Sequence, residues 1–257
     1  MIGLLLLEIL KLRRSRTAWI VSGVMALAPV LVTATLLGTR AGLSATTGAS
    51  PDVLLQLRNP DWQFFLRLNG ETLNRGPGIM LFSFAAAHIF AREYREHTYA
   101  LMLTLPTPRW RIVVAKFGAL LVWMTALGIL HVGVSLVLGL PLGLGRLTTS
   151  TAVDTAVAVL ITTWLYFLAM PLTSWLATVS RGYFAPIALA TGALVIGVPV
   201  STVDLTAWLP WSIPELFIGS GGGGAPLRSA SVAVLVATFL VGVTATILQY
   251  RRADAPL

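Results

Sequence analysis

Lys116-Phe-Gly-Ala-Leu-Leu-Val-Trp-Met-Thr-Ala-Leu-Gly-Ile-Leu-His131-Val-Gly-Val-Ser-Leu-Val-Leu-Gly-Leu-Pro141-Leu-Gly-Leu-Gly-Arg146 holds no aspartate, glutamate, lysine or arginine between its ends. A helix needs about 20 largely apolar residues to cross the hydrocarbon core of a bilayer, and this run exceeds that. It is continuously apolar, without the alternation of a barrel strand, so a helix is the only spanning structure it can form.

Working outward, further charge-bounded apolar windows lie between Arg16 and Arg40, Arg75 and Arg92, Asp154 and Arg181, Arg181 and Asp204, and Arg228 and Arg251. The expectation is an all-α integral membrane protein with six transmembrane helices over 17–38, 73–91, 113–140, 155–180, 183–203 and 229–250. The second window is short. Its helix must recruit Leu73 and Asn74, or let Arg75 and Arg92 snorkel to the interfaces. Composition agrees: of 257 residues, 56% are hydrophobic and 11% charged, with mean hydropathy +0.82, against roughly 25% charged for soluble proteins. The windows leave no room for a soluble domain, so residues 1–257 read as one membrane domain. The net charge of +8 does not point to nucleic acid, because the basic residues flank apolar runs, where they orient spans and meet anionic headgroups.

The distribution of those cations sets the orientation. Lys11, Arg13, Arg14, Arg16, Arg92, Arg95, Arg109, Arg111, Lys116, Arg181, Arg251 and Arg252 fall on one side, and Arg40, Arg58, Arg67, Arg75, Arg146 and Arg228 on the other. Both termini are expected in the cytoplasm, at the cell membrane. Residues 1–15 are apolar first and basic afterwards, the reverse of a secretory signal, so no removal is expected. They suit a helix lying in the cytoplasmic interface, as an anchor or as a lever. The loop from about 40 to 75 is too long for a simple connector. Its apolar residues, interrupted by Pro60, suggest two short amphipathic external helices that either pack on the outer ends of the spans or act as a gate.

Much chemistry is excluded. The chain has no cysteine, hence no thiolate site or disulfide. No metal-ligating or catalytic grouping occurs, neither H-E-x-x-H nor G-x-S-x-G. Gly221 to Gly224 is followed by Ala225-Pro226, with no lysine for a phosphate, and reads as a flexible turn. Inside the spans the ionisable candidates are His131 and His88, each either bonded to a neighbouring helix or functional. His131 lies deeper in its window.

Between the second and third spans the chain reads Ala91-Arg-Glu-Tyr-Arg-Glu-His-Thr98-Tyr-Ala-Leu-Met-Leu-Thr-Leu105-Pro-Thr-Pro-Arg109, then Lys116. A short helix over 98–105 would lie along the membrane and offer Leu101, Met102 and Leu105 to a partner's groove. Here the sequence resembles the type-2 ABC permeases, particularly the small single-domain members grouped with bacitracin export and lantibiotic immunity. Glu93 or Glu96, Thr98, Leu101 and Leu103, Pro106, Arg109 and Lys116 match that family's order of acidic residue, threonine, leucine-rich turn, proline, basic residue and lysine. His97 departs from it, standing where many relatives carry glycine. A second match is Trp208-Leu-Pro210-Trp211-Ser-Ile-Pro214, similar to the family's last external hairpin.

The resemblance implies that the 98–105 helix is a coupling helix seated on a separate ATP-binding-cassette ATPase. ATP and magnesium then belong to that partner, and no cofactor to this chain. It further implies two permease chains beside two ATPases, exporting an amphipathic or hydrophobic compound such as a peptide antibiotic, a drug or a lipid. A non-transport partner of an ATPase, acting in immunity, lipid extraction or assembly, is the alternative. An intramembrane enzyme would need a polar cluster that two separated histidines do not supply.

Overall fold

The computed structural model describes residues 2–42, 51–74, 76–98, 107–200, 206–218 and 228–252, and among them there is no strand. In chain order the helices are α1 (Ile2–Arg13), α2 (Arg16–Arg40), α3 (Pro51–Arg58), α4 (Trp62–Asn74), α5 (Pro77–Arg95), α6 (Arg109–Gly139), α7 (Thr149–Val179), α8 (Phe184–Val200), α9 (Ile213–Ile218) and α10 (Ser229–Arg252). A 3-10 turn at Leu140–Leu142 prolongs α6, and another at Thr206–Trp208 precedes α9.

Four of these are long and apolar enough to cross a membrane: α2, α6 with its 3-10 extension, α7 and α10. Helix α5 has 19 residues but carries Arg92, Glu93 and Arg95 in its last turns. Helix α8 has 17 residues, which at 1.5 Å per residue is about 26 Å, slightly less than the hydrocarbon core.

The expected start of the second span is corrected. Leu73 and Asn74 close α4 rather than open α5. Gly76 has φ +150°, a conformation that side chains rarely adopt, and Pro77 begins α5. Proline suits a first turn because its missing N–H has no intrahelical partner there. Other starts move by four to six residues, toward the N-terminus. Helix α6 starts at Arg109 instead of 113, and α7 at Thr149 instead of 155, where Thr148 Oγ1 accepts the Thr151 N–H at 3.3 Å.

Helix α5 lies at the centre, against α6, α7 and α8. Phe82, Ala85, Ala86, Ala87, Phe90 and Ala91 along it are buried, and the alanines let neighbouring backbones come close where lipid provides no hydrophobic drive between helices. A close backbone seam joins α7 to α10: a Cβ on Gly242 would fall 2.6 Å from the Pro171 carbonyl carbon and 2.7 Å from Leu172 N. The two short helices expected in the first long loop are α3 and α4. Trp62, Phe65 and Leu66 of α4 cluster with Val32 and Leu36 at the end of α2 and with Leu142 and Leu144 beyond α6. Gly139 makes that seat possible, since a Cβ there would press into the Trp62 and Phe65 rings.

Candidate functional site: a buried charge network joining α1, α5 and α6

At the opposite end, α1 crosses the start of α6 and the end of α5. Helical periodicity puts Glu8 on the face of Leu4, Leu5 and Leu12, Glu93 on that of Ile89 and Phe90, and Lys116 on that of Ile112, Val113 and Leu120. Three apolar faces that pack must therefore bring their charges inside together. Lys116, 0% exposed, donates to Glu93 Oε1 at 2.7 Å and to the Ile89 carbonyl at 3.0 Å, and stands 3.5 Å from Glu8 Oε2. Lys11 bridges the same two acids, at 2.7 Å to Glu8 and 3.2 Å to Glu93. Two cations thus balance two anions, the condition under which buried charges are tolerated. Burial alone would raise the Glu8 carboxyl, but Lys116 and Lys11 hold it below its ordinary value. Burial would likewise lower the Lys11 ammonium, but Glu93 and Glu8 hold it above.

Further contacts extend the network. Arg92 donates to the Lys11 carbonyl at 3.1 Å and pairs with Glu96 at 2.8 Å. His88 connects Ser15 Oγ, 3.0 Å from its Nε2, to Tyr183 OH, 3.0 Å from its Nδ1. The guanidinium of Arg95 lies over the Tyr183 ring, 5.1 Å from its centre. A cleft of about 240 Å³ opens here, lined by Glu8, Lys11, His88, Arg92, Glu96 and Thr98 among others.

The loop from α5 to α6 departs from this hub. Helix α5 ends in a Schellman turn, with Thr98 N–H bonded to the Glu93 carbonyl at 3.0 Å and His97 N–H to the Tyr94 carbonyl at 3.4 Å. The turn requires a left-handed residue, and His97 occupies it at φ +54°. That accounts for glycine at this position in the resembling family. On the far side, Arg109 donates to the Tyr250 and Arg251 carbonyls at 3.0 and 2.9 Å, capping the C-terminal end of α10.

The sequence-predicted residues therefore separate. Leu101, Met102, Leu103, Leu105 and Pro106 lie outside the described residues. Glu96 and Thr98 are exposed, as a contact surface requires, whereas Glu93 is turned inward and occupied by Lys116. Arg109 is engaged with α10. The two histidines differ in setting: His88 is wired to two helices' ends, while His131, also buried, has no side-chain partner among the described residues and lies near the backbone of Asn69 and Met25. Trp208 is exposed, while Pro214 is buried and Pro210 and Trp211 partly so, and Ser231 at the start of α10 donates to the Ala207 carbonyl at 3.0 Å. Glu8 and Lys11 were not anticipated as a site. Their position on the apolar face of α1 was the available signal.

Comparison with known proteins accords with this architecture. The sequence pattern described as "ABC-2 family transporter protein" matches residues 4–199, which take in α1, the charge network and the α5–α6 loop. The chain is also similar to the bacitracin transport permease protein BCRB of Bacillus licheniformis, 25% identical over 179 residues that cover 69% of this chain and 85% of that protein. A multi-pass helical membrane protein matched over most of its length by this pattern belongs to the ABC-2 transporter family, as a type-2 ABC permease.

Proposed function

We propose that this permease is the membrane half of an ATP-driven exporter, paired with a second permease chain and worked by two copies of a separate ATP-binding-cassette ATPase. In this reading α2, α5, α6, α7, α8 and α10 cross the cell membrane. Helix α1 lies in the cytoplasmic interface, α3 and α4 lie outside, and both termini are cytoplasmic. The lysine and arginine distribution supports this orientation.

The observation that carries the proposal is the network of Glu8, Lys11, Glu93 and Lys116. It joins α1, α5 and α6 beside a cleft that Thr98 also lines, where the segment expected to meet the ATPase begins. Buried ion pairs are geometrically demanding, and removing one partner is costly. A push delivered through residues 98–105 would therefore move the ends of three helices together. The cargo is an amphipathic or hydrophobic compound, and bacitracin, the compound in the relative's name, is the first to test. ATP and magnesium are held by the ATPase.

The test is co-purification. Leu101→Asp or Leu105→Asp puts a charge into a partly desolvated contact, which costs on the order of several kcal/mol and lowers occupancy by factors of hundreds. The ATPase should be lost while the permease still inserts and remains monodisperse. Retention of the ATPase and of substrate-stimulated hydrolysis by both variants would overturn the assignment.

A further inference from the structure

A second cleft, of about 250 Å³, lies between α1, α2 and α6. Its walls are almost wholly apolar: Leu12 of α1, Ala18 and Trp19 of α2, and Val122, Trp123 and Ala126 of α6. Trp19 is 69% exposed, yet its indole N–H is fixed to the Arg13 carbonyl at 3.1 Å. It therefore stands as a firm outer wall and not as a side chain free to fold away. Arg13 lines the mouth of the cleft, and Arg14 and Arg16 follow at the corner between α1 and α2; all three are exposed, and among the described residues none forms an ion pair.

An apolar slot lined by one exposed arginine, with two more within the next three residues of the chain, is complementary to an acyl chain that ends in an anionic phosphate. Arginine binds phosphate through paired N–H donors, and basic pockets between helices on the cytoplasmic side suit the anionic lipids concentrated in that leaflet. We infer that this cleft binds one acyl chain of an anionic phospholipid from the cytoplasmic leaflet, with its phosphate on Arg13, Arg14 and Arg16. The inference rests on the cytoplasmic placement of α1 proposed above. The slot also touches the charge network. Trp123, its inner wall, meets the His88 ring edge-on at 6.2 Å between centres, and α1, its roof, carries Glu8 and Lys11. A bound lipid therefore braces α1 against α6 in the position that the network requires.

Native mass spectrometry of the full chain, with dioleoylphosphatidylglycerol or dioleoylphosphatidylcholine added, reads this directly. One phosphatidylglycerol per chain should be retained, and phosphatidylcholine should not. Retention should fall at least ten-fold in Ala126→Phe, which fills the slot, and in the triple variant Arg13→Gln/Arg14→Gln/Arg16→Gln. It should be unchanged in Arg251→Gln/Arg252→Gln, which removes two arginines from the end of α10. Equal retention of the two lipids, an equal loss in the α10 variant, or normal retention in the triple variant would overturn the site. The leaflet is tested separately on the cysteine-free chain by Gly3→Cys, at a position with nothing within 4 Å of a Cβ. Labelling by a membrane-impermeant maleimide only in inverted vesicles is expected. Labelling only in right-side-out vesicles would overturn the orientation, whatever the lipid count.

Discussion

The two ends of the bundle are closed by opposite means. At the α1 end, Lys116 and Lys11 hold Glu8 and Glu93 in a buried lattice of ion pairs. At the α4 end, the Trp62 and Phe65 rings sit edge-to-face, 6.3 Å apart, on an apolar seat. There the polar attachments reach carbonyls, as when Trp62 Nε1 donates to Gly145 at 3.2 Å and Arg40 to Leu142 at 2.8 Å. Ion pairs have a narrow optimum of distance and direction, so the α1 end tolerates one arrangement of its helices. Apolar contact is non-directional and survives small sliding movements. Under the function proposed above, the first end suits transmission of force and the second suits a surface that shifts during the cycle.

The sharpest way to break this contrast is Lys116→Met, which leaves two buried carboxylates short of a cation. It should cost about 3–5 kcal/mol, read as a large fall in thermal unfolding temperature in detergent. Lys116→Met combined with Glu93→Leu should recover most of the loss, because a well-packed apolar pair can replace a buried ion pair. Failure of the double variant to recover would mean that the network does more than balance charge. At the other end, Gly139→Ala forces the Trp62 and Phe65 rings off their seat. Overpacking of this kind costs about 1–3 kcal/mol, and increased protease access to α4, with the α1 end unaffected, would localise it. The smallest effect belongs to His97→Gly. Relieving a left-handed non-glycine residue, against glycine's greater freedom in the unfolded chain, should stabilise by about 1 kcal/mol. Destabilisation would show that the His97 side chain has a role the turn alone does not explain.

Much of this fold was legible in the sequence. Charge-bounded apolar windows fall on α2, α6, α7 and α10, the four helices long and apolar enough to cross a membrane, because a membrane helix advertises itself by length and composition. Pro60 lies between α3 and α4. The start of α5 was missed because hydropathy alone gave Leu73 and Asn74 to the window, whereas Gly76 and Pro77 set the break by backbone geometry. Glu93 was read with the segment that follows the second span, and Lys116 as the boundary of an apolar window, each from its place in the chain. Their pairing depends on three helices meeting, and no single window contains that information. Periodicity was the available cue: each charge shares a helical face with bulky apolar neighbours, an arrangement that in a membrane protein points to a partnered interior charge. His131 carries the converse lesson. Its depth in the window marked it out, yet the wired histidine is His88, near the end where helices α2, α5 and the α7–α8 turn converge.

The contact of Gly242 with Pro171 has a mechanical consequence. Where side chains separate two helices, a change of rotamer can let one slide past the other. Here backbone meets backbone, and no rotamer exists to change, so α7 and α10 must travel as a single strut. Any rearrangement of the bundle would then be an articulation about that strut, taken up along other helix seams.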